Sequence, residues 1–214
     1  MRALDIFQGL GGWSDGLAKE GFEVLGIEID PEIAEMCKHP TIVEDVKRFS
    51  GWEYQGQFDL IVGSPPCRDF TRLPDKGHTP WANPKNPIRG YELVWHFIRI
   101  VNEIQPRFWL MENVSGLADY LEEKGLPPGK PRCRARISRT MIRCFWGNFP
   151  PFLVPKDMLK QNIWDVQGKY RKWERAKIPL PVARALGKAI KSALQPTTPL
   201  IAGITNHSEK EGSE

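Results

Sequence analysis

Between residues 2 and 111, five short apolar runs alternate with segments of amphipathic helical spacing. Arg2 to Phe7, Phe22 to Asp30, Thr41 to Val46, Phe58 to Val62 and Arg107 to Met111 have strand length and strand composition. Trp13 to Glu20 reads as a helix closed by Gly21, because glycine takes the left-handed turn that ends a helix without strain. Asp30-Pro31 reads as an N-cap followed by proline at the first helical position, with the helix reaching about Lys38. Tyr91 to Ile104 sets Leu93, Val94, Phe97, Ile98, Val101 and Ile104 on one helical stripe. Strand, helix, strand at this rhythm predicts a doubly wound α/β sheet with parallel strands.

A chain of 214 residues, 41% hydrophobic and 26% charged, holds one substantial core. From Gly125 the rhythm breaks, with Pro127, Pro128, Pro131, Pro150, Pro151 and Pro155 interrupting any period. Ile142 to Trp146 reads as a further strand and Pro181 to Leu194 as an amphipathic helix. The organisation expected is therefore an α/β core over 1–125, a small basic and aromatic region over 126–177, a closing helix over 178–195 and a disordered tail over 196–214. No run resembles a signal peptide or a membrane span, so a cytoplasmic protein with no membrane partner is expected, and a monomer.

The net charge of +4 is a weak pointer to anionic partners. Lys130 to Arg143 carries six basic residues and no acid, and Lys169 to Lys177 is again mostly basic. Such stretches line phosphate grooves or form solvated surfaces, and charge alone leaves both open. The four cysteines, Cys37, Cys67, Cys133 and Cys144, are far apart, with no Cys-x-x-Cys pair and no histidine at ligand spacing. No metal site is expected, and Cys37, Cys133 and Cys144 read as core filler.

Asp5-Ile-Phe-Gln-Gly-Leu-Gly-Gly falls at the first strand-to-helix turn, where open α/β sheets bind ligands against backbone amides. Its G-x-G-G spacing is neither the dinucleotide fingerprint nor a P-loop. Glu28, at the end of the second strand, is placed to accept from a ribose, and Asp45, after the third, from an adenine amino group. A nucleoside lacking a pyrophosphate needs these parts, and S-adenosyl-L-methionine is the common one. The alternative is a glycine turn that only packs helix on strand, with Glu28 capping it. In Gly63-Ser-Pro-Pro-Cys-Arg-Asp-Phe the prolines keep the chain extended as it leaves strand four, which holds Cys67 at the sheet rim. Strand five ends in Glu112-Asn113, on the same side of the sheet as Cys67 and the glycine turn.

Taken together, Asp5 to Gly12, Glu28, Asp45, Pro65-Pro-Cys-Arg-Asp-Phe-Thr and Glu112-Asn-Val resemble, in order, the successive motifs of the DNA cytosine-5 methyltransferase family. Arg132-Cys-Arg-Ala-Arg is similar to its arginine-rich motif, and Ile178 to Ile190 to its closing helix. The resemblance implies a Rossmann-like S-adenosylmethionine-dependent methyltransferase fold with a reduced C-terminal recognition region. It implies cofactor contacts from Asp5, Phe7, Gly9, Leu10, Gly12, Glu28, Ile29, Asp45, Val46, Pro66 and Leu93. Contacts to nucleic acid are implied for Arg68, Arg72, Asn113 and Arg139; apart from the resemblance, Lys169, Arg171 and Lys172 fall in a basic and aromatic stretch, Asn148 to Lys177, that either grips exposed nucleotides or forms a small satellite core with a basic rim.

The chemistry implied is covalent. Cytosine C5 is a poor nucleophile, so a Cys67 thiolate attacks C6 and the resulting enamine accepts a methyl group at C5. Glu112, ideally as the protonated acid, bonds N3 and the exocyclic amine, while Arg134 or Arg136 orients the base through O2. A stacked base is out of reach, so the target is flipped out or already unpaired. Residues 68 to 86 would close over it, with Trp81 either stacking on the base or packing within the loop. Four residues depart from the family pattern: Arg68 replaces the usual Gln, Thr71 the frequent Ser, and Ala176-Lys177 the Gly-Asn pair before the closing helix. Roughly 40 residues separate Arg136 from Ile178, too few for a recognition domain with its own core. DNA is the default substrate. RNA is the alternative within catalysis, since an unpaired base needs no groove readout, and an inactive nucleic-acid-binding subunit is the alternative outside it.

Overall fold

The computed structural model of the protein describes residues 1–71, 87–137, 142–153, 169–170, 174 and 176–195. Among these, the expected alternation is present. Its elements are β1 (Arg2–Ile6), α1 (Gly12–Lys19), β2 (Glu23–Glu28), α2 (Pro31–Met36), β3 (Thr41–Val43), β4 (Leu60–Gly63), α3 (Pro87–Ile104) and β5 (Phe108–Val114). They continue with α4 (Ser115–Lys124), β6 (Cys133–Arg136), β7 (Ile142–Asn148) and α5 (Leu180–Leu194).

The strands form one sheet in the order β3-β2-β1-β4-β5-β7-β6. The first five are parallel, as expected, and the added strands extend the sheet with β7 antiparallel to both β5 and β6. Between β6 and β7 there is no room for a crossover helix, and a short connection can only join antiparallel strands. β3 is shorter than expected: after Val43 the chain turns, with Asp45 Oδ1 accepting from the Lys47 amide at 3.0 Å.

Strand alternation divides the core in two. Leu4, Ile6, Ile61 and Met111 pack with Val94, Phe97 and Ile100 of α3 and Leu117 of α4. Ala3, Leu60, Val62 and Leu110 pack with Trp13 and Leu17 of α1 and Val182 and Leu186 of α5. Burial on both faces explains why these strands read as unbroken apolar runs. Arg184 Nε donates to Glu20 Oε1 at 2.6 Å, tying α5 to the end of α1.

Candidate active site

The strand order decides where a site can form. β1 is flanked by β2 and β4, so the segments leaving the C-terminal ends of β1 and β4 diverge and open a crevice. Ile6 is level with Gly63, and Gly63 with Met111. The residues that follow, Phe7, Ser64 and Glu112, therefore emerge side by side. A cavity of about 690 Å³ occupies this edge, within the range of small-molecule sites. Of the residues expected at the site, Phe7, Gly9, Leu10, Gly12, Glu28, Ile29, Asp45, Val46, Pro66, Cys67, Arg68, Leu93 and Glu112 line it.

Positive φ at Phe7 (64°), Gly9 (55°) and Gly11 (77°) turns the chain sharply from β1 into α1. The Gly9 amide donates to Glu28 Oε2 at 2.9 Å, and the Asp30 amide to Glu28 Oε1 at 3.0 Å. A carboxylate has about four acceptor sites, so these two bonds fix Glu28 while leaving it able to accept a ribose diol. The residues present thus fit an adenosyl group: a held carboxylate at the end of β2, Asp45 and Val46 beside it, and apolar Ile29 and Leu93.

Asp5 is placed differently from expectation. It is buried and does not line the cavity; its Oδ2 accepts from the Ser14 amide at 3.1 Å and the Ser14 hydroxyl at 2.6 Å. It secures the first turn of α1. Burial pushes its carboxyl up to about 7, against the lowering effect of the Ser14 bonds, with the Glu28 and Asp15 charges adding to the rise.

Cys67 is half-buried at the cavity wall, with Pro65, Pro66 and the glycine turn. Its own carbonyl accepts from the Phe70 amide at 3.0 Å and the Thr71 hydroxyl at 2.8 Å, which closes a turn behind the sulfur. Asn113 holds the other side. It is buried, and its Nδ2 donates to the Pro65 carbonyl at 2.8 Å, so it braces the Pro-Pro-Cys segment instead of facing nucleic acid.

The arginines are sorted by strand parity. Val114 pairs with Arg143 and Glu112 with Phe145, which places Glu112 and Arg143 on one face of the sheet. Asn113 pairs with Cys144 and Cys144 with Arg134, which places Arg134 and Arg136 on the other. Arg134 Nη2 lies 4.0 Å from Asp119 of α4, and neither Arg134 nor Arg136 lines the cavity. Arg143, Arg68 and Arg89 line it instead, and Arg143 is the buried one beside Glu112, with its Nε 3.1 Å from Glu112 Oε1. Both atoms are buried and neither has a hydrogen-bond partner, because the contact is an ion pair without hydrogen-bond alignment. Sequence reasoning missed Arg143 although a signal existed: a lone arginine inside the apolar run Ile142 to Trp146.

Ala176, Lys177 and Ile178 also line the cavity, where the chain enters α5. Lys169 and the Tyr170 hydroxyl both bond Glu32 of α2, with Lys169 Nζ at 2.6 Å. Arg72, Trp81, Arg139, Arg171 and Lys172 lie outside the described residues, as does the 196–214 tail. Among the described residues no helix is long and apolar enough to cross a membrane, and no cluster of three or more His, Cys, Asp or Glu is placed to hold a metal ion.

The sheet order and the ligand-sized cavity at its switch point define a Rossmann-like methyltransferase fold. It is shared with a crystal structure described as a DNA modification methyltransferase encoded within an E. coli prophage, at TM-score 0.51 and 25% identity, over 69% of this chain and 46% of that one. The model of C-5 cytosine-specific DNA methylases matches residues 1–127, and the chain belongs to that family. Type II methyltransferase M1.HphI of Haemophilus parahaemolyticus is 30% identical over 125 residues, which cover 53% of this chain and 32% of that protein. Type II methyltransferase M.FnuDI of Fusobacterium nucleatum is 34% identical over 122 residues, covering 55% and 33%. The chain thus spans about a third of the length of these curated relatives.

Proposed function

We propose that the protein is an S-adenosyl-L-methionine-dependent cytosine-C5 methyltransferase acting on DNA, with Cys67 as the nucleophile. The observation that carries this is the convergence on one cavity of a thiol, a buried carboxylate with an unsatisfied oxygen, and a buried arginine, beside the glycine turn anchored on Glu28. Unsatisfied buried polar atoms are costly, and a site retains them where a ligand completes their bonding.

Glu28 and the Gly9 to Gly12 turn hold the adenosyl part of the cofactor, with Asp45 and Val46 at the adenine. When bound, the cofactor supplies an electrophilic methyl group on a sulfonium. The chain's own residues do the rest. The Cys67 thiolate forms a bond to cytosine C6, moving an electron pair through C5 so that this carbon becomes nucleophilic. Glu112 bonds the N3 and exocyclic-amine edge, stabilising the charge that shifts there. Arg143 takes the role expected of Arg134 or Arg136, donating to the base at O2. Once C5 carries the methyl group, loss of its proton to a base returns an electron pair to the ring, the C6–S bond breaks, and the thiolate is regenerated.

Incubation with tritiated cofactor and, in parallel, an RNA pool and duplexes containing 5-fluorodeoxycytidine tests this, since fluorine at C5 blocks proton loss and traps the adduct. A denaturation-resistant protein–DNA band, absent in Cys67→Ser, is expected. No adduct with DNA, or label in RNA alone, overturns the reading.

A further inference from the structure

Outside the cavity, among the described residues, α3 grips the loop that follows β3 through a connected set of polar bonds. From the geometry we infer that Arg99 and Glu103 are positioning residues that give the cavity its selectivity for adenine, by fixing the loop carrying Asp45 and Val46. The inference rests on the adenosyl reading of the cavity.

The loop has little structure of its own. β3 contributes only three residues, and the loop then makes one turn, with the Arg48 and Phe49 amides donating to the Asp45 carbonyl at 2.8 and 3.0 Å. Such a turn leaves carbonyls at its far end in need of donors. Arg99 supplies them: its Nη2 donates to the Val46 carbonyl at 2.8 Å and the Phe49 carbonyl at 2.9 Å. The rest of its fork is also engaged, Nη1 with Glu103 Oε1 at 2.6 Å and Nε with His96 Nδ1 at 3.2 Å. Glu103 then uses its second oxygen to accept from the Gly51 amide at 2.8 Å. The loop's solvent side is tied by Lys47 Nζ to Glu92 Oε2 at 2.6 Å.

Glu92, Arg99 and Glu103 are spaced i, i+7, i+11, one face of one helix, and together hold the loop at both ends. Gly51 is fitted to the same contact: a Cβ there would lie 2.9 Å from Glu103 Cβ. Val46 and Asp45 line the cavity, so the clamp acts one bond away from the ligand. A planar fork that bonds two carbonyls, a carboxylate and an imidazole has no lysine equivalent, since an ammonium is a point charge.

The consequence is chemical selectivity. An adenine amino group donates to a carboxylate such as Asp45, whereas the carbonyl of hypoxanthine at the same position presents an acceptor to an acceptor. A rigid carboxylate rejects the second strongly, and a slack one reorients and rejects it weakly.

Calorimetric titration of the whole protein with S-adenosylhomocysteine and S-inosylhomocysteine tests this without requiring turnover. Wild type prefers the adenosyl compound, by a factor on the order of 100 or more. Arg99→Lys narrows that ratio by about tenfold, chiefly by weakening adenosyl binding, and Glu103→Gln narrows it less, since the amide still accepts from Gly51. Should Arg99→Lys fail to fold, Glu103→Gln decides. A preference kept intact in the folded variants, with only the unfolding midpoint lowered, overturns this inference alone. Wild type that binds neither compound overturns the adenosyl reading and this inference with it.

Discussion

Arg143 Nε stands 3.1 Å from Glu112 Oε1, both side chains are buried, and the two atoms are not aligned as a hydrogen bond. Their attraction is what keeps two desolvated charges inside the protein, so removing one strands the other. Arg143→Met is expected to cost about 3–5 kcal/mol in urea unfolding. The double variant Glu112→Gln/Arg143→Met is expected to cost distinctly less than the sum of the two single changes, because no isolated charge remains. Additive costs would show that the pair is not coupled.

Asn113 gives a test that separates bracing from DNA contact. Asn113→Ala removes the donor to the buried Pro65 carbonyl and frees the Pro-Pro-Cys segment, at a cost of about 1–3 kcal/mol in stability. The turnover number should fall, because Cys67 is no longer held in position. The slope of log affinity for DNA against log salt should stay at the wild-type value, whereas loss of a phosphate contact would lower it by about one.

How much of this was legible in the sequence follows from the range of each interaction. The strands, helices and glycine turn were readable because periodicity, caps and breakers act over a few residues. The placement of Cys67, Glu28 and Glu112 at one edge followed from the rule that α/β sheets bind at their carboxyl ends. What sequence did not reveal depended on pairing. The choice of Arg143 over Arg134 and Arg136 is set by which residues of β7 oppose β5, and a shift of one residue flips every side chain to the other face. Asp5 and Asn113 looked like ligand contacts because they sit in the motifs, yet their partners are Ser14 and the Pro65 carbonyl, which only the folded chain brings near. Helix α4 was missed because Ser115 begins it directly after β5, with no loop to mark the change.

Gly26 on β2 is covered by Gln8: a Cβ at position 26 would fall 1.9 Å from Gln8 Cδ. Gln8 is itself committed, its Nε2 donating to Ser14 Oγ at 3.1 Å and its Oε1 accepting from Thr41 Oγ1 at 2.5 Å. Gly26→Ala must therefore displace a buried, doubly bonded amide, and is expected to lose about 1–3 kcal/mol or more. Gln8→Ala in the same chain opens the space. The double variant should be more stable than the two separate losses predict, as measured by denaturant midpoints at constant m-value.

Asp5 makes stability depend on pH in the direction opposite to that of a salt-bridged carboxylate. Its carboxyl is raised by burial from 3.8 to about 7, so between those values the folded protein holds a proton that the unfolded chain has lost. Stability from this group is therefore full below about pH 4 and is lost as pH rises through 7, with a slope approaching about 1.4 kcal/mol per pH unit in the window. Asp5→Asn keeps an oxygen for the Ser14 amide and hydroxyl but has no proton to lose. Unfolding of the two proteins followed from pH 4 to 8 should show the asparagine variant gaining on wild type as pH rises, and the gain levelling off once Asp5 is fully ionised in the folded state. A constant difference across that range would mean that Asp5 is already charged at pH 4, and that the Ser14 bonds outweigh the cost of burying it.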